Sequence, residues 1–171
     1  MILKVKLDKG AFAPESAHKA DAGYDLRTPI DFTVKAGGSA IVDTGVHVAI
    51  PEGYVGFLKS KSGLNVKHNL TGEGVIDSGY TGSIVVKLYN NVEWNPLDAH
   101  TVRFDRGDKI IQLVLLPIIK PDIKIVDSLE DTERGDNGFL PQLRSEDERR
   151  CGVICRRMEH IWGKTFGGLP L

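Results

Sequence analysis

With 171 residues, a formal net charge of −1 and 41% hydrophobic residues, the chain can bury the core of one domain. The balanced charge argues against nucleic-acid or membrane binding by bulk charge, and no apolar run reaches the length of a transmembrane helix. Two cysteines, Cys151 and Cys155, indicate neither a disulfide framework nor a cysteine-based zinc site, and without a signal-peptide core we expect a cytoplasmic location.

The first two thirds of the chain have the pattern of short β-strands separated by turns. Alternating apolar and polar residues predict half-buried strands, and one continuous apolar run predicts a fully buried strand. The residues predicted to be extended are 2–7, 30–34, 41–42, 46–50, 54–58, 75–76, 83–89, 101–104 and 110–117. Only Ser62 to about His68 indicates a helix, with Ser62 as its N-cap. Many short strands at regular spacing predict an all-β sandwich, jelly roll or barrel.

A glycine-rich stretch surrounds one aspartate, Asp77. The apolar pair Val75-Ile76 favours extended chain before it, and the glycines after it mark turns. We predict that Asp77 lies where a hairpin strand breaks into a tight turn, and a carboxylate fixed in that way can act as a general base on water. Gly72 and Gly74 would let a flat ligand approach the backbone closely. An ordinary surface hairpin fits the same residues.

The composition changes after about Lys120. Residues 127–137 are polar and acidic, which is typical of a mobile arm. Residues 144–150 are densely charged, and the segment after them has only a weak apolar stripe. We therefore predict a β domain at 1–126, a mobile C-terminal arm at 127–139 and an atypical tail at 140–171.

Five short motifs, taken together, resemble those of the trimeric dUTP diphosphatases (dUTPases). Each motif is weak alone, but five in this order are specific. They occupy residues 21–26, 60–64, 74–82, 106–114 and 133–139. The resemblance implies a jelly-roll-like β domain with one short helix, assembled as a homotrimer whose sites are shared between subunits. It also implies hydrolysis of dUTP to dUMP and pyrophosphate with Mg²⁺, which supplies dUMP for thymidylate synthesis.

The resemblance assigns the reaction to named side chains. Asp77 would orient and deprotonate the water that attacks the α-phosphorus. Lys61, Ser62 and Gly63 would hold the phosphates with a cation, a hydroxyl and a backbone donor near a helix N-terminus. Arg134 would contact the terminal phosphates. The alternative for the three residues after Ser60 is an ordinary helix cap.

The resemblance implies that two further residues hold the metal ion. Asp25 would hold Mg²⁺ through water, because Mg²⁺ keeps several waters and takes phosphate oxygens. Gln112 lies in an otherwise apolar run, where a lone amide must find partners, and the resemblance gives it phosphates and metal-bound water. The alternatives are a strand-end aspartate satisfied by turn amides and a satisfied core glutamine.

Selectivity is assigned to contacts with the base and the sugar. The backbone of Gly74, Val75 and Ile76 would read the uracil edge, and cytosine would leave buried groups unpaired. Tyr80 would pack under the deoxyribose and leave no room for a 2′-hydroxyl, with a core tyrosine as the alternative. Phe139 would stack over the uracil.

Two departures from the family pattern keep other functions open. Lys61 replaces the usual arginine, which keeps the charge but loses bidentate phosphate geometry. After Phe139, the bulky residues 140–143 replace a segment rich in Gly, Ser and Thr. A dUTP-binding regulatory protein with impaired turnover is one alternative. A dCTP deaminase of the same fold is another, and it would need a glutamate acting on the base.

The residues after Phe139 also fit a shifted reading frame. Leu-Pro-Gln-Leu can be encoded by codons of the form CTN CCN CAR CTN, and the frame one base upstream can then encode Ser, a small residue, Ser and Thr. We hypothesise that residues 140–171 arose from a one-base frameshift. The alternative is a tail that evolved as an extension.

Under the frameshift hypothesis, replacing residues 140–171 by a short Ser/Thr/Gly segment should raise turnover of dUTP. An arm that closes over the triphosphate excludes water and adds hydrogen-bond donors. Pyrophosphate release by the two proteins measures the effect, and limited proteolysis should cleave the original tail. Loss of activity on replacement, or a gene without such an alternative frame, would contradict the hypothesis.

Overall fold

The computed structural model describes residues 2–96 and 100–135, and in them it confirms the all-β prediction. Ten strands and one short helix occur in these residues. In chain order they are β1 (Lys4–Leu7), β2 (Tyr24–Arg27), β3 (Phe32–Lys35), β4 (Ser39–Ala49), β5 (Tyr54–Lys59), α1 (Ser62–His68), β6 (Leu70–Thr71), β7 (Glu73–Ile76), β8 (Ser83–Asn90), β9 (Thr101–Phe104) and β10 (Lys109–Pro117).

The strands form two four-stranded antiparallel sheets and one separate pair. The first sheet has the order β1-β4-β8-β6, the second has the order β2-β10-β5-β7, and β3 pairs with β9. Side chains alternate along β8: Ile84, Val86 and Leu88 are at most 1% exposed, whereas Val85 and Tyr89 are 49% and 44% exposed. This period of two matches the pleat of a strand, so one face of the sheet fills the core and the other lies outside it.

One hydrophobic cluster draws its residues from both sheets and from the separate pair. β10 lies between β2 and β5 in the second sheet, and its Ile111 and Leu113 are fully buried. Each such side chain stabilises the fold by about 1.5–3 kcal/mol. Gln112 interrupts the apolar run of β10 and is level with Asp25 on one side and Lys59 on the other. The core therefore fixes where this amide lies.

One predicted strand boundary is wrong. Residues 41–42 and 46–50 belong to one strand, β4, rather than two. The pairing of β4 with β8 shifts between Asp43 and His47, and Gly45 takes a positive φ of 65° there. Glycine tolerates this conformation, so the strand bends without ending.

The predicted helix is confirmed, but its predicted cap is wrong. Lys61 has the extended backbone of the N-cap, Ser62 is the first helical residue, and no side chain caps α1. Two strands were not predicted. β2 mixes charged with apolar residues, and β6 has only two residues, so neither has a clear local pattern.

The stretch around Asp77 does not form the predicted hairpin. β7 pairs with β5 in the second sheet, whereas the next strand, β8, pairs with β4 and β6 in the first. The turn after β7 therefore carries the chain from one sheet to the other. β7 is an edge strand, and within the described residues no strand pairs with its second edge. Its backbone can hydrogen-bond to another group on that side.

The chain divides into two units, Met1–Asp122 and Ile123–Leu171, and the first holds all the elements above. In the second, the side chains of residues 123–135 are exposed. The Gly135 N–H donates to the Thr132 carbonyl at 3.1 Å and closes a turn.

The predicted arm at 127–139 and tail at 140–171 remain predictions, and Phe139 lies outside the described residues. In the part of the chain that the structure describes, no helix has the length and apolarity needed to cross a membrane.

Candidate active site

The second sheet brings Asp25, Lys61 and Gln112 together. Asp25 on β2 lies opposite Gln112, and its side chain is 14% exposed. One carboxylate oxygen accepts from Lys61, and the other accepts from Lys109, whose Nζ lies at 2.9 Å. Partial burial by itself would raise the pKa of Asp25, but Lys61 and Lys109 outweigh it and hold this pKa below its usual value. Two lysines, rather than turn amides, therefore keep Asp25 ionised.

Lys109 belongs to a chain of charges that the sequence did not single out. Its Nζ lies 3.2 Å from Glu15, which also accepts from the Arg27 guanidinium. Arg27 in turn donates to the Gly107 carbonyl at 2.6 Å. Asp25 and Glu15 raise the pKa of Lys109. These charges meet only after β2 and β10 pair, so no local signal in the sequence could have linked them.

Hydrogen bonds hold the segment between β5 and α1. The Ser60 hydroxyl accepts from the Gly72 N–H at 2.9 Å and lies 3.1 Å from the Gly72 carbonyl. The Gln112 amide donates to the Ser60 carbonyl at 3.3 Å, so this half-buried glutamine has a partner. Ser62 and Gly63 are exposed at the start of α1. Since the first N–H groups of a helix have no partner within it, a hydroxyl and backbone donors are accessible beside Lys61.

A second cluster surrounds the turn after β7. Asp77 is exposed directly after the strand, and the Tyr80 N–H donates to the Asp77 carbonyl at 3.1 Å. This confirms the predicted tight turn. A cavity of about 550 Å³ adjoins Asp77, with Glu52, Tyr54 and Lys120 among its walls. The Asp77 carboxylate thus has access to water on a fixed backbone, as a general base requires.

Tyr80 is not a core residue. Its side chain is 44% exposed, and its hydroxyl donates to the Ser83 carbonyl at 2.8 Å. The alternative of a core tyrosine is therefore wrong. The ring lies at the surface on the same turn as Asp77, where it can contact a ligand.

The two glycines before Asp77 serve packing rather than ligand approach. A Cβ on Gly72 would lie 2.9 Å from the Leu88 side chain, and a Cβ on Gly74 would lie 3.0 Å from the Leu58 side chain. Their bare faces are therefore turned toward the protein. The prediction that they admit a flat ligand is wrong in this respect.

The two clusters lie apart within one chain. Asp77 follows Ile76, which is level with Gly56 on β5, whereas Gln112 is level with Lys59. The separation is roughly 13 Å along the strands and roughly 10 Å across two strand spacings. A single copy of the chain therefore does not bring Asp77 to the residues around Asp25. Arg134 belongs to the second unit, Ile123–Leu171, and is exposed.

His47, which the sequence did not indicate, ties the turn to the start of the chain. Its Nδ1 lies 2.9 Å from the Thr81 carbonyl, and its Nε2 lies 3.1 Å from the Asp8 carboxylate. Both partners are acceptors, so both ring nitrogens donate only in the protonated form. The Thr81 carbonyl and Asp8 raise the pKa of His47.

A family model and the sequences of known proteins relate this chain to a single family. The family model described as dUTPase matches residues 10–140. The deoxyuridine 5'-triphosphate nucleotidohydrolase of Cutibacterium acnes is 43% identical over 129 residues, which cover 74% of this chain and 82% of the relative. The enzyme of the same name from Arabidopsis thaliana is 39% identical and covers 78% of each chain.

Solved structures with a similar fold include two phage proteins. A mutant dUTPase from Staphylococcus aureus phage phi11, which coordinates a structural Mg(II) ion, has a TM-score of 0.71 and 34% identity, covering 77% of this chain and 100% of its own. The Staphylococcus bacteriophage 80alpha dUTPase with dUPNHPP has a TM-score of 0.73 and 35% identity, covering 81% of this chain and 96% of its own.

Replacing His47 by glutamine should flatten the pH dependence of the free energy of unfolding. Because the folded-state pKa of His47 is raised, its stabilising contribution is fully present below the unfolded pKa of about 6.5. The contribution is lost as the pH rises through the folded pKa. Urea unfolding between about pH 6 and 8.5 measures the difference, with exposed His18→Gln as the control. Equal pH slopes for the wild type and His47→Gln would contradict this account.

Proposed function

Because the chain belongs to the dUTPase family, we propose that it is a dUTP diphosphatase, which hydrolyses dUTP to dUMP and pyrophosphate. Its fold is the jelly-roll-like β domain of that family. The observation that carries the proposal is the turn after β7, which exposes Asp77 beside a strand edge that no strand of the described residues pairs with. The reaction supplies dUMP for thymidylate synthesis and takes place in the cytoplasm.

Asp77 acts as the general base in this proposal. Its carboxylate accepts a proton from water as the water oxygen forms a bond to the α-phosphorus. The bond from that phosphorus to the oxygen bridging the β-phosphate breaks, and pyrophosphate leaves with the electron pair. An exposed carboxylate on a hydrogen-bonded turn supports this role, because the base must reach water while its backbone stays fixed.

The phosphates bind at the start of α1. Lys61 supplies a positive charge, and Ser62 and Gly63 supply exposed donors where negative charge grows on the phosphate oxygens. To do so, Lys61 exchanges Asp25 for phosphate. Lys109 remains beside Asp25 after that exchange, so the partly buried carboxylate keeps a partner.

The oxygen atoms of Asp25 and Gln112 fit Mg²⁺ as ligands. In residues 2–96 and 100–135, no three His, Cys, Asp or Glu side chains gather into a metal cage. Asp25 and Gln112 offer a carboxylate and an amide oxygen, and an ion that keeps several waters needs few protein ligands. Asp25 and Gln112 therefore hold Mg²⁺ through water in this proposal. When bound, the ion neutralises charge on the phosphate oxygens.

Base and sugar are selected at the second cluster. In residues 2–96 and 100–135, no strand pairs with the outer edge of β7. This open edge at Gly74, Val75 and Ile76 supports recognition of the uracil edge, since it presents N–H and C=O groups. Tyr80 packs under the deoxyribose, and the exposure of its ring supports this role. From the C-terminal arm, Phe139 stacks over the uracil and Arg134 binds the terminal phosphates; these two roles rest on the family resemblance.

The assembly is a homotrimer with sites shared between subunits. The separation of Asp77 from Gln112 supports this, because one chain alone keeps the two clusters too far apart to act on one substrate. Exposed aliphatic side chains support it as well: Ile119, Ile123 and Ile125 are 93%, 94% and 93% exposed in the single chain. Clusters of exposed apolar side chains are typical of interaction surfaces, and these three lie within residues 119–125.

Replacing Asp77 by asparagine should abolish hydrolysis and leave dUTP binding within a few-fold. The amide keeps the shape of the side chain but cannot accept the proton, and a general base contributes roughly 10²–10⁴ in rate. Pyrophosphate release and calorimetric binding of dUTP measure the two effects. Asp105→Asn, at an exposed ion pair with Arg103, is the control. Near-normal turnover in Asp77→Asn would rule out this role.

Mixing inactive Asp77→Asn and Ser62→Ala subunits should restore activity through hybrid sites. With random subunit exchange, about a quarter of sites would combine an intact Asp77 with an intact Ser62. Pyrophosphate release after verified exchange measures the recovery. A mixture of Lys61→Ala and Ser62→Ala is the control, because both changes lie in one cluster and every site stays damaged. The absence of recovery in the first mixture would count against shared sites.

A further inference from the structure

The ring of Tyr80 lies directly over Gly82. A Cβ built on Gly82 would lie 2.5 Å from the Tyr80 hydroxyl oxygen, 2.6 Å from Cζ and 2.9 Å from Cε2. Gly82 is not among the residues with positive φ, so its backbone conformation is open to any L-residue. A side chain at this position would therefore meet the ring of Tyr80 rather than strain the backbone.

The residues on both sides of Gly82 are tied to β4. The Thr81 carbonyl lies 2.9 Å from His47, and the Ser83 hydroxyl donates to Asp43. The ring has more freedom, because it is 44% exposed and is anchored at its end by one hydrogen bond to the Ser83 carbonyl. If a side chain were added at Gly82, the ring would move and the turn would stay.

We propose that Gly82 is a positioning residue that sets the selectivity of the site for deoxyribose over ribose. It leaves the space in which the Tyr80 ring lies flat against the turn, with its hydroxyl on the Ser83 carbonyl. This inference rests on the proposed role of Tyr80 under the sugar. A Cβ at residue 82 displaces the ring by roughly 1 Å, which is enough to lose close contact with the sugar face. A displaced ring no longer matches the sugar face, so the shape fit that rejects a 2′-hydroxyl is lost.

Gly79 provides a matched control on the same turn. A Cβ on Gly79 would meet nothing within 4 Å, and Gly79 has no positive φ. The measurement is the ratio of kcat/KM for dUTP to kcat/KM for UTP. A site that rejects an added hydroxyl by shape alone does so by only about 100-fold. Gly82→Ala should lose part of this rejection and lower the ratio by about 10-fold. Gly79→Ala should leave it unchanged. Discrimination against dTTP should stay the same in both, since the base is read at the edge of β7.

A double-mutant cycle separates this role from general damage to the turn. Once Tyr80→Ala has removed the ring, adding Gly82→Ala should have no further effect on the ratio. Tyr80→Phe, which loses the hydrogen bond to the Ser83 carbonyl, should lower the ratio in the same direction as Gly82→Ala. An additive effect in the cycle would overturn the inference, because Gly82 would then act without the ring.

The other outcomes for Tyr80→Ala and Gly82→Ala separate the inference about Gly82 from the proposed function. If Tyr80→Ala lowers the ratio and Gly82→Ala does not, the inference about Gly82 fails and the proposed function stands. If Tyr80→Ala leaves the ratio unchanged, the sugar role of Tyr80 fails and the inference fails with it. If Gly82→Ala does not fold, the Tyr80→Ala/Gly82→Ala variant decides. If this double variant unfolds at the same temperature as Tyr80→Ala alone, the clash of the added Cβ is with the ring. If the double variant does not fold, the inference about Gly82 is contradicted.

Discussion

The pairing of β5 with two neighbours determines where the candidate residues lie. β5 is flanked by β10 and β7 in the second sheet, and its last residue, Lys59, is level with Gln112 on one side and Glu73 on the other. The residues around Asp25 therefore collect at the end of β5, while Asp77 lies toward its beginning. A slip of one residue in β10 would move Leu113 out of the core and Gln112 into it, so burial of the apolar side chains enforces this register.

Electrostatics organise the cluster at the end of β5. The residues Glu15, Lys109, Asp25 and Lys61 alternate in sign, so each charge has the opposite charge beside it. Two compact ammonium groups can each take one oxygen of Asp25, whereas a planar guanidinium would favour both oxygens at once. Lysine at residue 61 therefore suits a carboxylate that has a second lysine partner. The departure from the family pattern at this position is compatible with the local charge balance.

The turn after β7 combines two tasks. It leaves Asp77 and Tyr80 exposed, and it also joins the two sheets. Its position depends on the packing of both sheets and on the contact of His47 with the Thr81 carbonyl. The proposed general base and the proposed sugar contact therefore depend on the same few backbone atoms, which are held from β4 rather than from a hairpin partner.

The sequence by itself determined the strands with strong local patterns, the short helix and the family. The alternation along β8 and the unbroken run of β10 are local consequences of burial, and five ordered motifs carry the resemblance. The tight turn after Asp77 was predictable because glycine marks turns wherever they occur. The cap of α1 was not, since it depends on the backbone angles of the preceding loop, where Lys61 is extended.

Only the tertiary structure decided which strands pair and which charges meet. It joined β7 to β5 instead of β8, placed Lys109 on Asp25 and turned the bare face of Gly72 toward Leu88. These contacts join residues that are distant along the chain, and several pairings satisfy the same local pattern of apolar and polar residues. Their choice depends on the combined burial of the core and on the alignment of whole strands, which no single segment of the sequence encodes.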